Sequence, residues 1–273
     1  MRKVTYAMLA LAILAAFGLS LTTPALAQSQ EEMAKKLANP IASLISFPLQ
    51  NNFDINYKSA DLDGGFKYTL NIQPVIPFAL SKDWNLISRT ILPFAQQSNV
   101  FGADGTQTGL GDIVQSLFFS PARPTKGGVT WGAGPVFLLP TATNDLLGGG
   151  KWGIGPTFVV LKQSGPWTYG LLANHLWSFA GNAERSDFST TFLQPFLSRV
   201  YKGGFSWGLN TEFSRNWTAD VSIGAINASV AQVVPVFGQL VQVSLGPKIF
   251  YGNASVRARW GFRASIVFLF PKK

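Results

Sequence analysis

Residues 44–58 read LISFPLQNNFDINYK. Ile45, Phe47, Leu49, Phe53, Ile55 and Tyr57 share one parity; Ser46, Gln50, Asn52, Asp54, Asn56 and Lys58 share the other. A period of two puts the apolar set on one face of an extended chain, whereas a helix would scatter it around its circumference. The last such stretch is the plainest, with Trp260, Phe262, Ala264, Ile266, Phe268 and Phe270 against Gly261, Arg263 and Ser265. Carried back to Arg257 and Arg259, its polar parity reads as a ladder of three arginines.

The same alternation recurs in 66–80, 166–178 and 203–214, and more faintly in 84–96, 108–120, 128–140, 151–162, 188–201, 218–233 and 239–251, which predicts twelve strands. Tight turns at Ser81–Asp83, Gln163–Gly165 and Lys202–Gly203 alternate with longer polar stretches at Ser59–Gly65, Gln97–Gln107, Thr141–Gly150 and Phe179–Asp187. Short turns at one end and long loops at the other are the connection pattern of an outer-membrane barrel. The rule weakens after Phe213, where Arg215-Asn216 and Gly252–Ser255 are short.

Alternation also fits a soluble sandwich, so other quantities decide. The stretches run to ~12–15 residues, against ~5–6 for ordinary soluble strands. Trp167 and Trp177 share a parity ten positions apart, and at ~3.3 Å per residue and ~40° tilt this spans about 25 Å, the separation of the two aromatic girdles of a membrane barrel. Phe47/Tyr57, Tyr68/Phe78 and Trp260/Phe270 repeat that spacing and complete the expected girdle. The opposite parity carries Gly, Ser, Thr, Asn and Gln with few charges, which suits a wet lumen. In lipid, an unpaired backbone group costs several kcal/mol, so such a sheet must close on itself. The expectation is an all-β, closed, antiparallel up-and-down transmembrane β-barrel of about twelve strands spanning 44–273. Pro48, Pro74, Pro135, Pro156, Pro195 and Pro247 interrupt it, and are expected to mark bends or bulges.

Residues 1–27, MRKVTYAMLALAILAAFGLSLTTPALA, have the charged start, short apolar run and Ala-x-Ala end of a cleaved secretory signal peptide. Export then places the barrel in the outer membrane of a Gram-negative bacterium, with the lipid bilayer and the barrel-assembly machinery as partners. Residues 28–43 are expected to form a short periplasmic segment, with QSQEEMAKKLAN suited to a short helix or a lumen plug. With no cysteine and a single histidine, thiolate metal sites and disulfides are excluded and His-based metal or triad chemistry is disfavoured. No catalytic residue, metal or cofactor is expected. The net charge of +9 is dispersed through strands without stacking aromatics, so nucleic acid is not an expected partner.

Several phrases resemble one bacterial outer-membrane family. They are Leu70-Asn71-Ile72-Gln73-Pro74-Val75-Ile76-Pro77, Trp84–Arg89, Gly109-Leu110-Gly111-Asp112, Ser116–Pro121, Gly134–Thr141, Lys151–Pro156, Gly165–Gly170 and Phe268–Lys272. Over roughly residues 37–272 the chain is similar to the phenol-degradation, MetA-pathway type of outer-membrane protein, whose members are often labelled transporter or neuromedin U. The resemblance implies a barrel and passage of small, often aromatic, solutes, and assigns no functional residues. Pro271-Lys272-Lys273 after Phe270 depart from the terminal Phe common among outer-membrane barrels.

The candidate lumen-lining, solute-contacting residues are Lys67, Arg89, Glu212, Lys248, Arg257, Arg259 and Arg263, with Lys58, Arg199, Asp54, Asp112 and Asp220 on the same expected side. Cationic ladders favour anions in pores; alternatively these charges pair with Glu212 and Asp220 and plug the barrel. The sequence therefore points first to a passive channel for small aromatic or anionic solutes. A structural or adhesive barrel with a blocked lumen comes second, and a lipid-active enzyme third. The enzyme reading would rest on His175, yet the residue two positions on is Trp177 rather than the Ser of the known outer-membrane phospholipase pattern. His175 shares parity with Tyr169 and Trp177 and is expected at the membrane interface.

Overall fold

The computed structural model describes residues 24–58, 63–101 and 105–270. Most of the expected signal peptide and the tail after Phe270 lie outside these residues. Among these residues one helix, α1 (Pro24–Leu37), precedes β1 (Ile45–Lys58), β2 (Asp63–Ile72), β3 (Val75–Ala79), β4 (Trp84–Ser98), β5 (Thr106–Leu110), β6 (Ile113–Pro121) and β7 (Val129–Leu139). There follow β8 (Lys151–Ser164), β9 (Trp167–Gly181), β10 (Ser189–Val200), a 3-10 turn at Lys202–Gly204, β11 (Phe205–Asn216), β12 (Val221–Val236), β13 (Gln239–Gly252) and β14 (Trp260–Phe270). Each strand pairs antiparallel with its neighbours, and β14 closes on β1 from Ile45↔Phe270 to Ile55↔Trp260. β2 with β3, and β5 with β6, are halves of single staves that pair the same neighbour. The wall is thus a closed barrel of twelve staves.

The halves part at informative residues. Pro74 lacks an N–H, and the stave breaks at Gln73-Pro74, where the Gln73 N–H donates to the Pro48 carbonyl. At Gly111-Asp112 the carboxylate takes over from the ladder: Oδ1 accepts from Ala142 N–H at 3.1 Å and Oδ2 from Gly149 N–H at 2.6 Å, tying the β7–β8 loop back to the wall.

Pro48 marks no break, standing in register opposite Val267. Pro135, Pro156, Pro195 and Pro247 sit where a ladder skips two residues without changing register. The β6–β7 pairing passes from Ser116↔Val136 to Phe119↔Ala133 across Pro135. β8–β9 passes from Ile154↔Trp177 to Thr157↔Asn174 across Pro156. β10–β11 skips Pro195, and β12–β13 skips Pro247. Three of these are Gly-Pro pairs. A Cβ at Gly246 would collide with the Ala228 carbonyl oxygen, so the bare glycine is what lets the facing strand close in beside the missing donor.

The faces are inverted relative to a soluble protein. Phe47, Phe78, Trp84, Phe158, Trp177, Ile226, Ile249, Trp260 and Phe270 are exposed on the outer surface, while Asn52, Asp54, Ser116, Thr157, Thr168, Asn227, Lys248 and Ser265 are buried inside. Such an outer face is stable only against lipid.

The lumen is not empty. α1 begins with proline, the residue best suited to a first helical position, and is braced by Glu31–Lys35 at 2.9 Å and Glu32–Lys36 at 2.8 Å. Gln30, Met33, Ala34 and Leu37 fall on one face at i, i+3, i+4 and i+7 and pack inward against Val200, Val233, Val267 and Leu269 near the short-turn end. Gln30 Nε2 donates to Val233 O at 2.9 Å, and Gln163 Nε2 donates to Lys35 O at 2.9 Å. Gly204, at φ +81, leaves room for the Gln30 main chain to touch the wall. Beyond the helix, Ile41 inserts into a collar of Ile87, Phe118, Val159, Leu161 and Leu172. Residues 24–44 thus form a plug, and the expected cleavage point after Ala27 falls inside its helix.

Candidate functional site: the charged belt of the lumen

Beyond the plug, strands β1, β2, β4, β11, β13 and β14 project charges into the lumen. Arg263 and Glu212 meet in a two-pronged pair, Nη1–Oε1 and Nη2–Oε2 both 2.9 Å, reaching past the two intervening strands. Lys248 Nζ donates to Asp54 Oδ1 at 2.7 Å across β14. Asn52 Oδ1 joins the pairs, accepting from Arg263 Nε at 2.8 Å and Lys248 Nζ at 3.5 Å. Lys67 stands opposite Asp54 in the β1–β2 register. Arg89 Nη2 donates to Gln73 Oε1 at 3.1 Å. The belt therefore holds four cations and two carboxylates. Among the described residues, neither Lys67 nor Arg89 has a carboxylate oxygen within 4.0 Å.

Between belt and plug lies a cavity of about 280 Å³, with Arg89, Gln73 and Gln194 as polar walls and Val75, Leu172 and Phe196 as apolar ones. Residues 36–40, Ala42 and Leu44 of the plug complete it. A second cavity of about 330 Å³ adjoins it, sharing Leu37, Pro48, Gln73, Gln242 and Val267, and reaches Arg263, Asn210 and Asn227.

The structure thus gathers Lys67, Arg89, Glu212, Lys248 and Arg263 into one layer. Arg257 and Arg259 are elsewhere: β14 starts at Trp260, and both precede it in the 253–259 loop, where Arg257 Nη1 donates to Ala254 O at 3.0 Å. The ladder of three arginines does not form, because strand alternation does not extend through a loop. Asp220 also lies in a loop and pairs with Arg215. Arg199 faces outward, with its guanidinium 5.1 Å from the Trp167 ring and 4.8 Å from that of Tyr201. The side chain of Lys58 lies outside the described residues.

Of the expected girdle, Phe47, Phe78, Trp177, Trp260 and Phe270 are exposed on the outer face. Trp167 packs edge-on to Trp207 at 5.6 Å, and Tyr68 donates to Asn51 Oδ1 at 2.7 Å on that face. Tyr57 does not join the girdle. Asn56 takes a left-handed φ of 59°, the β1–β2 register shifts there, and Tyr57 turns inward against Val100 and Ala258. One bulged residue reverses the parity of everything beyond it.

His175 lies on the outer side, its ring 4.2 Å from that of Trp177. Nε2 is 3.1 Å from Ser189 Oγ and Nδ1 is 2.8 Å from Thr191 Oγ1, which also accepts from Trp217 Nε1 at 2.8 Å. Both hydroxyls come from the neighbouring strand, so sequence spacing along β9 could not reveal them. Among the described residues the imidazole has no carboxylate or amide partner, and no group of three potential metal ligands occurs.

Closed topology, an apolar exterior and a polar, charged interior define a β-barrel of the outer-membrane type. Among solved structures, the chain is similar to the COG4313 outer membrane channel from Pseudomonas putida F1, with 12% identity, a TM-score of 0.66, and 84% of this chain and 96% of that one covered. It also aligns with the beta domain of the Bordetella autotransporter BrkA at 12% identity and a TM-score of 0.46, covering 82% of this chain and 98% of that one. No protein-family model and no curated protein matches it. At 12% identity the likeness to the channel is one of fold.

Proposed function

We propose that this barrel is a channel of the outer membrane, closed in this conformation by its own N-terminal plug, and that its lumen favours small anionic solutes. The observation that carries the reading is the belt: four lumen cations face two carboxylates, and rings of Lys and Arg in a pore attract anions. The short-turn end that receives the plug would face the periplasm. Membership of the MetA-pathway type is part of this reading. Its shared phrases fall at architectural breaks, among them Gln73-Pro74, Gly111-Asp112 and Gly134-Pro135. We read the His175 cluster as an interfacial anchor, since a hydrolase would need a group that orients the imidazole more firmly than a threonine hydroxyl.

A second reading, a structural barrel with a permanently blocked lumen, is favoured by the inter-strand charge pairs and by the buried plug side chains. Planar bilayers separate the two. The channel reading expects discrete conductance, anion-preferring reversal potentials, and a severalfold rise in conductance when residues 28–43 are deleted. Silence of both full-length and deleted protein would favour the blocked barrel.

A further inference from the structure

We propose that the cavity between plug and belt is a saturable binding site for a small monocarboxylate with a compact apolar body, and that Arg89 anchors its anionic end. The proposal rests on the channel reading and adds to it a site and a ligand class.

Among the described residues, Arg89 lacks the close carboxylate that the paired lumen cations have. Arg263 and Lys248 each have a carboxylate at 2.9 and 2.7 Å. Arg89 projects from the wall into the cavity, and among the described residues its side chain has one hydrogen bond, to Gln73 Oε1. A guanidinium offers five donors in a planar fork matched to a carboxylate. The nearest counter-charge to Arg89, Glu212, acts from beyond 4.0 Å and is already gripped by Arg263, so an incoming anion supplies the close partner that an enclosed cation lacks.

The remaining walls select the rest of the ligand. Val75, Leu172 and Phe196 supply an apolar lining, and Gln73, Gln194 and Gln242 add neutral polar groups beside Arg89. About 280 Å³ is at the small end of ligand cavities. Two cations line the cavity, but Lys36 is already paired with Glu32 at 2.8 Å, so Arg89 alone calls for a further negative charge, and apolar walls call for a body that gains by leaving water. Inorganic anions and dicarboxylates satisfy only half of this. The plug is also one wall, so the complete site exists only while the plug is seated.

The test uses the full mature chain in detergent, with folding checked by heat-modifiable gel mobility. Binding of cyclohexanecarboxylate is measured by calorimetry, with cyclohexanol and acetate as probes lacking the charge and the body. The expected result is saturable binding of cyclohexanecarboxylate, with both partial probes at least about tenfold weaker, the worth of one charge-assisted contact. Arg89→Gln should weaken cyclohexanecarboxylate about tenfold without affecting cyclohexanol, and Arg89→Lys should retain part of the affinity. Deleting residues 28–43 should weaken binding while raising conductance. Undiminished binding in folded Arg89→Gln, equal binding of cyclohexanol, or no saturable binding by the folded chain would each overturn the proposal. A chain that conducts but binds nothing defeats the site alone. A chain that binds but never conducts, with or without its plug, defeats the channel reading.

Discussion

Glu212 and Arg263 show how a single residue governs the lumen. Each is largely enclosed, with side-chain exposures of 27% and 17%, and each supplies the other's counter-charge. Removing one partner leaves an uncompensated charge, which costs more than the pair contributes. Glu212→Gln should lower stability by about 3 kcal/mol, less where lumen water screens Arg263, and Glu212→Gln with Arg263→Gln should regain part of it. Urea midpoints in lipid vesicles measure both. A second residue-scale effect depends on pH. In the loop after β9, the Lys151 ammonium at 3.0 Å and the Ser178 hydroxyl at 3.1 Å hold the Asp187 carboxyl below the usual carboxylate range. A depressed carboxylate stabilises the folded loop above its unfolded pKa, and that stability is lost as pH falls through the folded value. Hydrogen-exchange protection factors in 182–188, which divide out the intrinsic pH dependence of exchange, should therefore fall below about pH 4 and stay flat from there to neutrality. At this scale the sequence was partly legible. Lys67, Arg89, Glu212, Lys248 and Arg263 share the lumen because parity holds along their strands. Tyr57 and the pair Arg257 and Arg259 could not be placed by parity, because a bulge at Asn56 and a loop before Trp260 interrupt it.

At the scale of elements, the Gly-Pro pairs turn an apparent flaw into a fitted joint. Proline removes a donor, the ladder skips two residues, and the preceding glycine admits the facing carbonyl. Gly246→Ala should therefore destabilise the barrel by roughly 1–3 kcal/mol, the range for overpacking, because the obstacle is the Ala228 backbone. Gly127→Ala, whose Cβ would meet only Thr125 Oγ1 at 3.9 Å, should be near neutral. Heat-modifiable mobility as a function of temperature compares them. The plug was half legible: the spacing of Met33, Ala34 and Leu37 gives one apolar face, but nothing local says whether that face meets lipid or lumen. The collar was hidden for the related reason that Phe118, Val159 and Leu161 are apolar residues facing inward, and an apolar residue on a barrel strand ordinarily reads as lipid-facing.

At the scale of the molecule, twelve staves and their closure follow from physics that a sequence displays openly: long period-two stretches, alternating loop lengths, and the cost of an open edge in lipid. What fills the lumen is a tertiary event, the return of the N-terminal helix and the residues after it into a cylinder formed by later residues, and its placement has no periodic signature. The whole account stands on the inverted faces. Because the chain has no cysteine, single cysteines can be placed at successive positions from Phe262 to Phe268 on β14 and spin-labelled in vesicles. Accessibility to oxygen, which concentrates in lipid, should peak at 262, 264, 266 and 268, and accessibility to a water-soluble nickel chelate should be greater at 263 and 265. The opposite phase, or no alternation, would contradict a barrel that turns its oily residues to the membrane.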